Sequence, residues 1–219
     1  MGVSPELKLK IPAWVFCMSW CPDFEFRGTQ GYGLLQADLI EEYLLQYFAL
    51  SAHGYSRGTW IAPESTPIDR NVGSPSFATP AGMTAPILLK WLLVYEEPIE
   101  HTVWFAKAVP RCWLQGGERI AVRGAGTAYG RVSMELVSGA GRITANLTVP
   151  ASWATEAGGP AGGLRLRLRE ASKKPIASVT VGGIAWASVN KTAETVDISA
   201  AQLKTAGMIG KLQIIVIHF

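Results

Sequence analysis

Six residues, Leu164-Arg-Leu-Arg-Leu-Arg169, alternate without a break between aliphatic and cationic side chains. A strand throws successive side chains to opposite faces, whereas a helix returns to one face only after three or four residues. The segment therefore predicts a strand with Leu164, Leu166 and Leu168 turned to a core and Arg165, Arg167 and Arg169 turned to water. An anion-binding strip is the functional reading of the arginine row; a solvated sheet face is the simpler expectation. The same period of two dominates the chain after Glu118. It runs through Arg119–Arg123, Arg131–Val137, Arg142–Val149, Ile176–Val181, Ala185–Val189, Thr195–Ile198 and Lys211–Phe219. With Leu164–Arg169 these make about eight antiparallel strands at the spacing of a β-sandwich. Glycine-rich turns such as Ser138–Gly141 and Val181–Gly183 separate them.

Before about residue 115 the apolar period is helical. Leu35, Leu39, Tyr43, Leu44, Tyr47 and Phe48 recur at steps of three and four, giving a helix from about Gly33 to Ala52 a broad buried face. His53-Gly54 would end it, with Gly54 free to take the left-handed conformation of a C-terminal cap. A second helix is expected from Thr84 as N-cap, with Pro86 in its first turn and Met83 stapled against Leu88. It would run past Trp91 and Val94 to Glu97-Pro98. A short third helix is expected over Thr102–Ala108, ahead of Pro110. The chain thus reads as α+β in two parts: a helical region at 1–115 and a β-sandwich at 116–219.

Composition narrows the function. Of 219 residues, 48% are hydrophobic and 17% charged, which excludes disorder for most of the length. Twenty Lys and Arg against 17 Asp and Glu leave a dispersed net charge of +3, not the concentrated cationic face that nucleic acid requires. No apolar run approaches the roughly 20 residues that span a bilayer, and Ile11–Trp20 lacks the pattern of a signal peptide. The chain as written is therefore expected in the cytoplasm, with the sequons at Asn146 and Asn190 silent. Cys17, Cys21 and Cys112 read as free, mostly buried thiols, and no metal site or organic cofactor is implied. His101, at an expected helix start, and His218, in an apolar strand, read as structural. The glycines near 124–130 and 158–163 lack the context of a phosphate loop and read as turns, and no Gly-x-Ser-x-Gly elbow is present.

The richest stretch for chemistry is the connection between the first two helices, Tyr55 to Gly82, roughly 28 residues where helical neighbours usually need 2–8. Its start, His53-Gly-Tyr-Ser-Arg-Gly-Thr-Trp-Ile-Ala-Pro-Glu64, gathers aromatic, cationic and carboxylate side chains at a helix end. Sugar hydrolysis uses this mixture: rings for the apolar faces of pyranoses, charged groups for hydroxyls, carboxylates for proton transfer. Eight Trp, seven Phe and six Tyr in the whole chain also admit a sugar-stacking cleft, although most such residues serve a core.

The segments Ala52–Trp60, Thr79–Pro86 and Trp91–Pro98, followed by Trp104-Phe-Ala-Lys-Ala-Val-Pro-Arg-Cys-Trp-Leu-Gln-Gly-Gly-Glu-Arg-Ile120, resemble the last hairpins of bacterial six-hairpin glycosidases. In that superfamily a leucine-rich helix leads to a Pro-Arg-x-Trp-Leu turn and then to the first strand of a C-terminal β-sandwich. Ala125–Ser133 is similar to the strand-turn-strand that follows there, so the likeness spans roughly residues 30–137. The resemblance implies part of an (α/α)6 toroid, a carbohydrate ligand, and acid–base hydrolysis of a glycosidic bond. It implies Glu64 as the base carboxylate, set in a late loop near Trp60. Substrate contacts would come from Trp60, Arg57, His53, Tyr55 and Asp69, and from Glu25, with Asp23 beside it as another source of a second carboxylate.

Such a toroid has twelve helices, about 350–450 residues at ordinary helix and loop lengths. Inversion also needs two carboxylates about 6.5–9.5 Å apart. The chain holds three or four of those helices, and so reads as a C-terminal portion of a larger glycosidase. The alternatives are a non-catalytic carbohydrate-binding or accessory module, or an oligomerisation protein. In an oligomer the open helical face (Leu34, Leu45, Trp91, Phe105) would be covered by another copy, and in a fragment by the missing catalytic segment.

Overall fold

The computed structural model describes residues 24–53, 79–155, 158–205 and 212–218. The chain is α+β and divides into two compact units, Met1–Leu89 and Lys90–Phe219.

The first unit is helical. The single helix expected over 33–52 is two, α1 (Phe24–Gln36) and α2 (Ile40–His53). Asp38 breaks them apart by adopting φ +59°. The Leu39 N–H donates to the Leu34 carbonyl at 2.8 Å and the Asp38 N–H to that of Leu35 at 3.1 Å, the two bonds of a Schellman cap. Glu41 and Glu42 then lie in the first turn of α2, where the helix dipole favours negative charge. Leu35, Tyr43 and Leu88 are fully buried, and the Tyr43 hydroxyl donates to the Leu88 carbonyl. A side chain added at Gly31 would run into Leu88. Phe48 and Leu39, expected on the buried face, are exposed. The buried stripe of α2 is Ile40, Tyr43, Leu44 and Gln46, and at 100° per residue Phe48 falls on its flank.

Helix α3 (Thr79–Leu93) starts five residues before the expected Thr84, which is buried inside it. Pro80 supplies the start instead, since its missing N–H and fixed φ cost nothing in a first turn. The helix also stops earlier than expected, at Leu93, because Val94–Glu97 forms strand β1. The helix expected over 102–108 is strand β2 (Thr102–Phe105), all four residues of which are buried. Val, Trp and Phe suit a strand covered on both faces, and pairing with β1 in the register Val94↔Phe105 decides the outcome. His101, at φ +50° in the turn before β2, is therefore not at a helix start.

The second unit carries two sheets. One has the order β1-β2-β6-β10-β9, with β6 at Gly163–Arg167, β9 at Val189–Asn190 and β10 at Thr195–Ile198. The other runs β3-β4-β5-β11-β7-β8: β3 Arg119–Thr127, β4 Gly130–Gly139, β5 Arg142–Thr148, β7 Ser178–Val181, β8 Ile184–Ala185 and β11 Leu212–His218. A six-residue helix, α4 (Ala200–Thr205), precedes β11. Among the described residues the pairings are antiparallel except β2 with β6, which run parallel with Val103 opposite Leu164. The strand expected over 185–189 is two short ones in different sheets: β8 pairs with β7, and β9 with β10. Met134, Leu136, Ile143, Leu147, Val181 and Ile215 are buried on one face of the six-stranded sheet.

Three further expectations change. Arg167 and Arg169 are only 5% and 6% exposed, so the arginine row is not a solvated face; the five-stranded sheet is covered on that side too. Phe105, expected on an open helical face, is fully buried in β2. Cys112 is exposed rather than buried.

Candidate functional site

Helices α2 and α3 bracket the segment on which the sequence places its chemistry. Tyr55, Arg57, Trp60, Glu64 and Asp69, as well as Asp23, lie outside the described residues. Glu25 lies in the first turn of α1, and His53 is the last residue of α2. The brace between the two flanking helices is the Tyr43–Leu88 bond. From it the end of α2 lies about 15 Å onward, and the start of α3 about 14 Å back, at the helical rise. Burial, and to a smaller degree the Tyr47 phenol, pushes the Tyr43 hydroxyl well above the ordinary range, so it stays a neutral donor. Beside it the Gln46 side-chain amide is buried with no hydrogen-bond partner among the described residues.

A second polar constellation, which the sequence reading missed, centres on Trp104 in β2. The Lys107 ammonium lies 3.7 Å from the Trp104 ring centroid and 5.2 Å from that of Tyr95. The Arg165 and Arg167 guanidinium carbons lie 4.7 and 5.1 Å from the Trp104 centroid. The ring's electron-rich faces thus attract three cations. Arg167 also donates to the Ala193 carbonyl at 3.0 Å and the Lys107 carbonyl at 3.4 Å, and Arg169 to the Val109 carbonyl at 3.4 Å. Arg165 pairs with Asp197 and, at 3.2 Å, with Glu100. The stack braces β2 against β6 through cation–π contacts and hydrogen bonds. The parallel register of β2 and β6 places Trp104 beside Arg165. That pairing joins residues 61 positions apart, and no local pattern discloses it.

The Pro110-Arg-Cys-Trp-Leu114 turn has a clear structural role. Residues Arg111–Leu114 form a 3-10 turn, and Arg111 grips both carboxylate oxygens of Glu194 at 2.8 and 2.7 Å while donating to the Glu170 carbonyl at 2.9 Å. Glu96 links the two sheets, accepting from Lys90 at 3.0 Å and from the Ala128 N–H at 2.6 Å. On β4, Glu135 accepts from Asn146 at 3.0 Å and from Arg119 at 2.6 Å, and these bonds hold its carboxyl below the ordinary carboxylate range.

Among the described residues no group of three His, Cys, Asp or Glu is placed to hold a metal ion. No described helix is long and apolar enough to cross a membrane. No family model matches the chain, and no curated protein matches it.

Proposed function

We propose that the chain is a glycoside-hydrolase-related protein, a C-terminal portion of an (α/α)-toroid glycosidase followed by a β-sandwich. Its chemistry would be acid–base hydrolysis of a glycosidic bond, with Glu64 activating the water. The observation that carries the reading is the run of glycosidase-like segments across residues 30–137. The order of elements supports it in part: helices first, then, after the short strands β1 and β2, the Arg111–Leu114 turn and the first long strand, β3. In this reading α2 and α3 belong to the last hairpins of the toroid, and the segment between them supplies Glu64, Trp60 and Arg57 to the cleft.

Turnover of a panel of aryl glycosides and oligosaccharides by the wild-type chain and by Glu64→Gln tests it. Loss of a general base costs about 10²–10⁴-fold in rate. A Glu64→Gln variant as active as wild type would remove the base assignment, and a well-folded wild type without turnover would remove the autonomous enzyme.

A second reading, a non-catalytic binding or oligomerisation module, is favoured by one observation. Leu45 and Phe48 are 56% and 45% exposed on α2, with Met83 exposed on α3. Leu45 and Phe48 lie one turn apart on α2, and neighbouring exposed apolar side chains of this kind suit a face that a partner covers.

A further inference from the structure

We propose that the outer face of strands β3, β4 and β5 binds an acidic polysaccharide of the polyuronate class, laid along a row of four arginines. The charged residues of these strands are Arg119, Arg123, Arg131, Arg142 and Glu135. Strand alternation puts all of them on one side of the sheet, because Met134, Leu136, Ile143, Ala145 and Leu147 are buried on the other. All four arginines are exposed. The face therefore holds a cationic excess of three, equal to the formal net charge of the whole chain. Charge that is dispersed along the sequence is gathered on one surface by antiparallel pairing.

The register sets the row. Arg119 stands opposite Val137, Arg131 opposite Gly126 and Arg142 opposite Gly139. Between Val122 and Ala125 the register shifts, so that Arg123 and Gly124 together face Ser133, whose hydroxyl accepts from the Gly124 N–H at 3.0 Å. From the level of Gly139 to Arg131 is eight residues of β4, about 27 Å at the antiparallel rise. Arg119 pairs with Glu135, the carboxylate that also accepts from Asn146, and Arg131 donates to the Gly124 carbonyl at 3.1 Å. Arg123 and Arg142 make no hydrogen bond or ion pair with another described residue, so their donor forks are open. Cations on an edge strand protect it from pairing with another sheet, which accounts for Arg119 and Arg123 on β3. It does not account for Arg131 and Arg142, which lie on interior strands.

The chemistry of the face selects the polymer. Duplex nucleic acid carries one charge per about 1.7 Å of its axis, several times what four arginines over about 27 Å can meet. Single-stranded nucleic acid is held largely by aromatic stacking, and β3, β4 and β5 contain no aromatic residue. A polyuronate offers one carboxylate to a sugar ring, which a guanidinium takes at two points. Its hydroxyls meet Ser133, Thr144, Asn146 and Thr148, half-buried on the same face. One carboxylate on one exposed arginine is a weak contact, whereas a chain that spans the row makes several at once. The inference does not rest on the hydrolytic reading, since none of these residues belongs to the segment proposed for hydrolysis.

The test is calorimetric titration of the full chain with polygalacturonate, free galacturonate, dextran, oligothymidylate and phosphatidylserine vesicles. Polygalacturonate is expected to bind saturably and more weakly as salt is raised, with free galacturonate and dextran silent. Arg123→Ser and Arg142→Ser should each weaken it about two- to fivefold, and together about tenfold or more. Lys191→Ser removes an exposed cation elsewhere and should leave it unchanged. Glu135→Gln removes the carboxylate within the row and should tighten it about two- to fivefold. Glu64→Gln should bind as wild type, which separates this site from the hydrolytic one. Near-UV circular dichroism checks that each variant keeps the wild-type fold. Absence of saturable binding, equal binding of dextran, or tighter binding of oligothymidylate or vesicles would overturn the proposal. So would an unchanged double arginine variant, or a Lys191→Ser loss as large as that of Arg142→Ser.

Discussion

Gly163 is confined by both its backbone conformation and its neighbours. It sits at φ +81° at the start of β6, and an added Cβ would overlap the Ile198 carbonyl and stand 2.8 Å from the Ser199 Cα, both main-chain atoms that cannot swing aside. Gly163→Ala is expected to cost about 2–4 kcal/mol through strain and displaced backbone, read as a lower urea midpoint. Glu135 makes a separate prediction. Its carboxyl is depressed below its ordinary value by the bonds from Asn146 and Arg119. A carboxylate depressed in the folded state adds stability that is present above its unfolded pKa and lost as pH falls through the folded one. Thermal midpoints of wild type and Glu135→Gln should therefore differ at neutral pH and converge on acidification below about pH 4, the ordinary carboxylate range. A gap that stays constant with pH would show that the charge is not the cause.

Among elements, the α1–α2 junction and the Arg111–Leu114 turn make the firmest claims. Asp38 holds a left-handed conformation that glycine enters without penalty. Asp38→Gly should keep the break between α1 and α2, read as unchanged helical circular dichroism, and Asp38→Val should cost about 1–2 kcal/mol in chemical denaturation. Arg111 is partly buried, with a two-point grip on Glu194 and a third bond to the Glu170 carbonyl. Arg111→Ala strands a half-buried carboxylate and should cost about 2–4 kcal/mol in chemical denaturation. Arg111→Lys should recover only part of this, because an ammonium cannot make the paired contact. How legible these elements were depended on range. The Pro-Arg-x-Trp-Leu pattern was visible as a motif, but Glu194 lies 83 residues away and nothing local names it as the partner.

For the whole molecule, the exposed Leu45 and Phe48 bear on assembly. If a second copy covers them, the mass of the wild-type chain in light scattering rises with concentration. The double substitution Leu45→Lys and Phe48→Lys should then hold it at the monomer value, with the helical circular dichroism unchanged. A mass that does not depend on concentration in either protein would remove oligomerisation through this face. Legibility of the candidate site divides in the same way. The residues proposed for hydrolysis were read from a local stretch, Tyr55–Asp69, whereas the Trp104 stack draws on segments far apart in the chain.

The sequence by itself determined the α+β class, helices before strands, and most strand positions from β3 onward. Each of those follows from side-chain periodicity along a short window, where geometry alone distinguishes period two from period three and a half. Only the tertiary structure decided that Thr102–Phe105 is a strand and that Arg167 and Arg169 are buried, and only it broke the first helix at Asp38. A short apolar run suits helix or strand equally until a partner strand supplies its hydrogen bonds. An alternating strand announces two faces but not what covers the second. A polar residue inside a helical stripe enters the left-handed region when cap bonds and packing on both sides favour the break. In each case the deciding free energy comes from contacts that the local sequence does not contain.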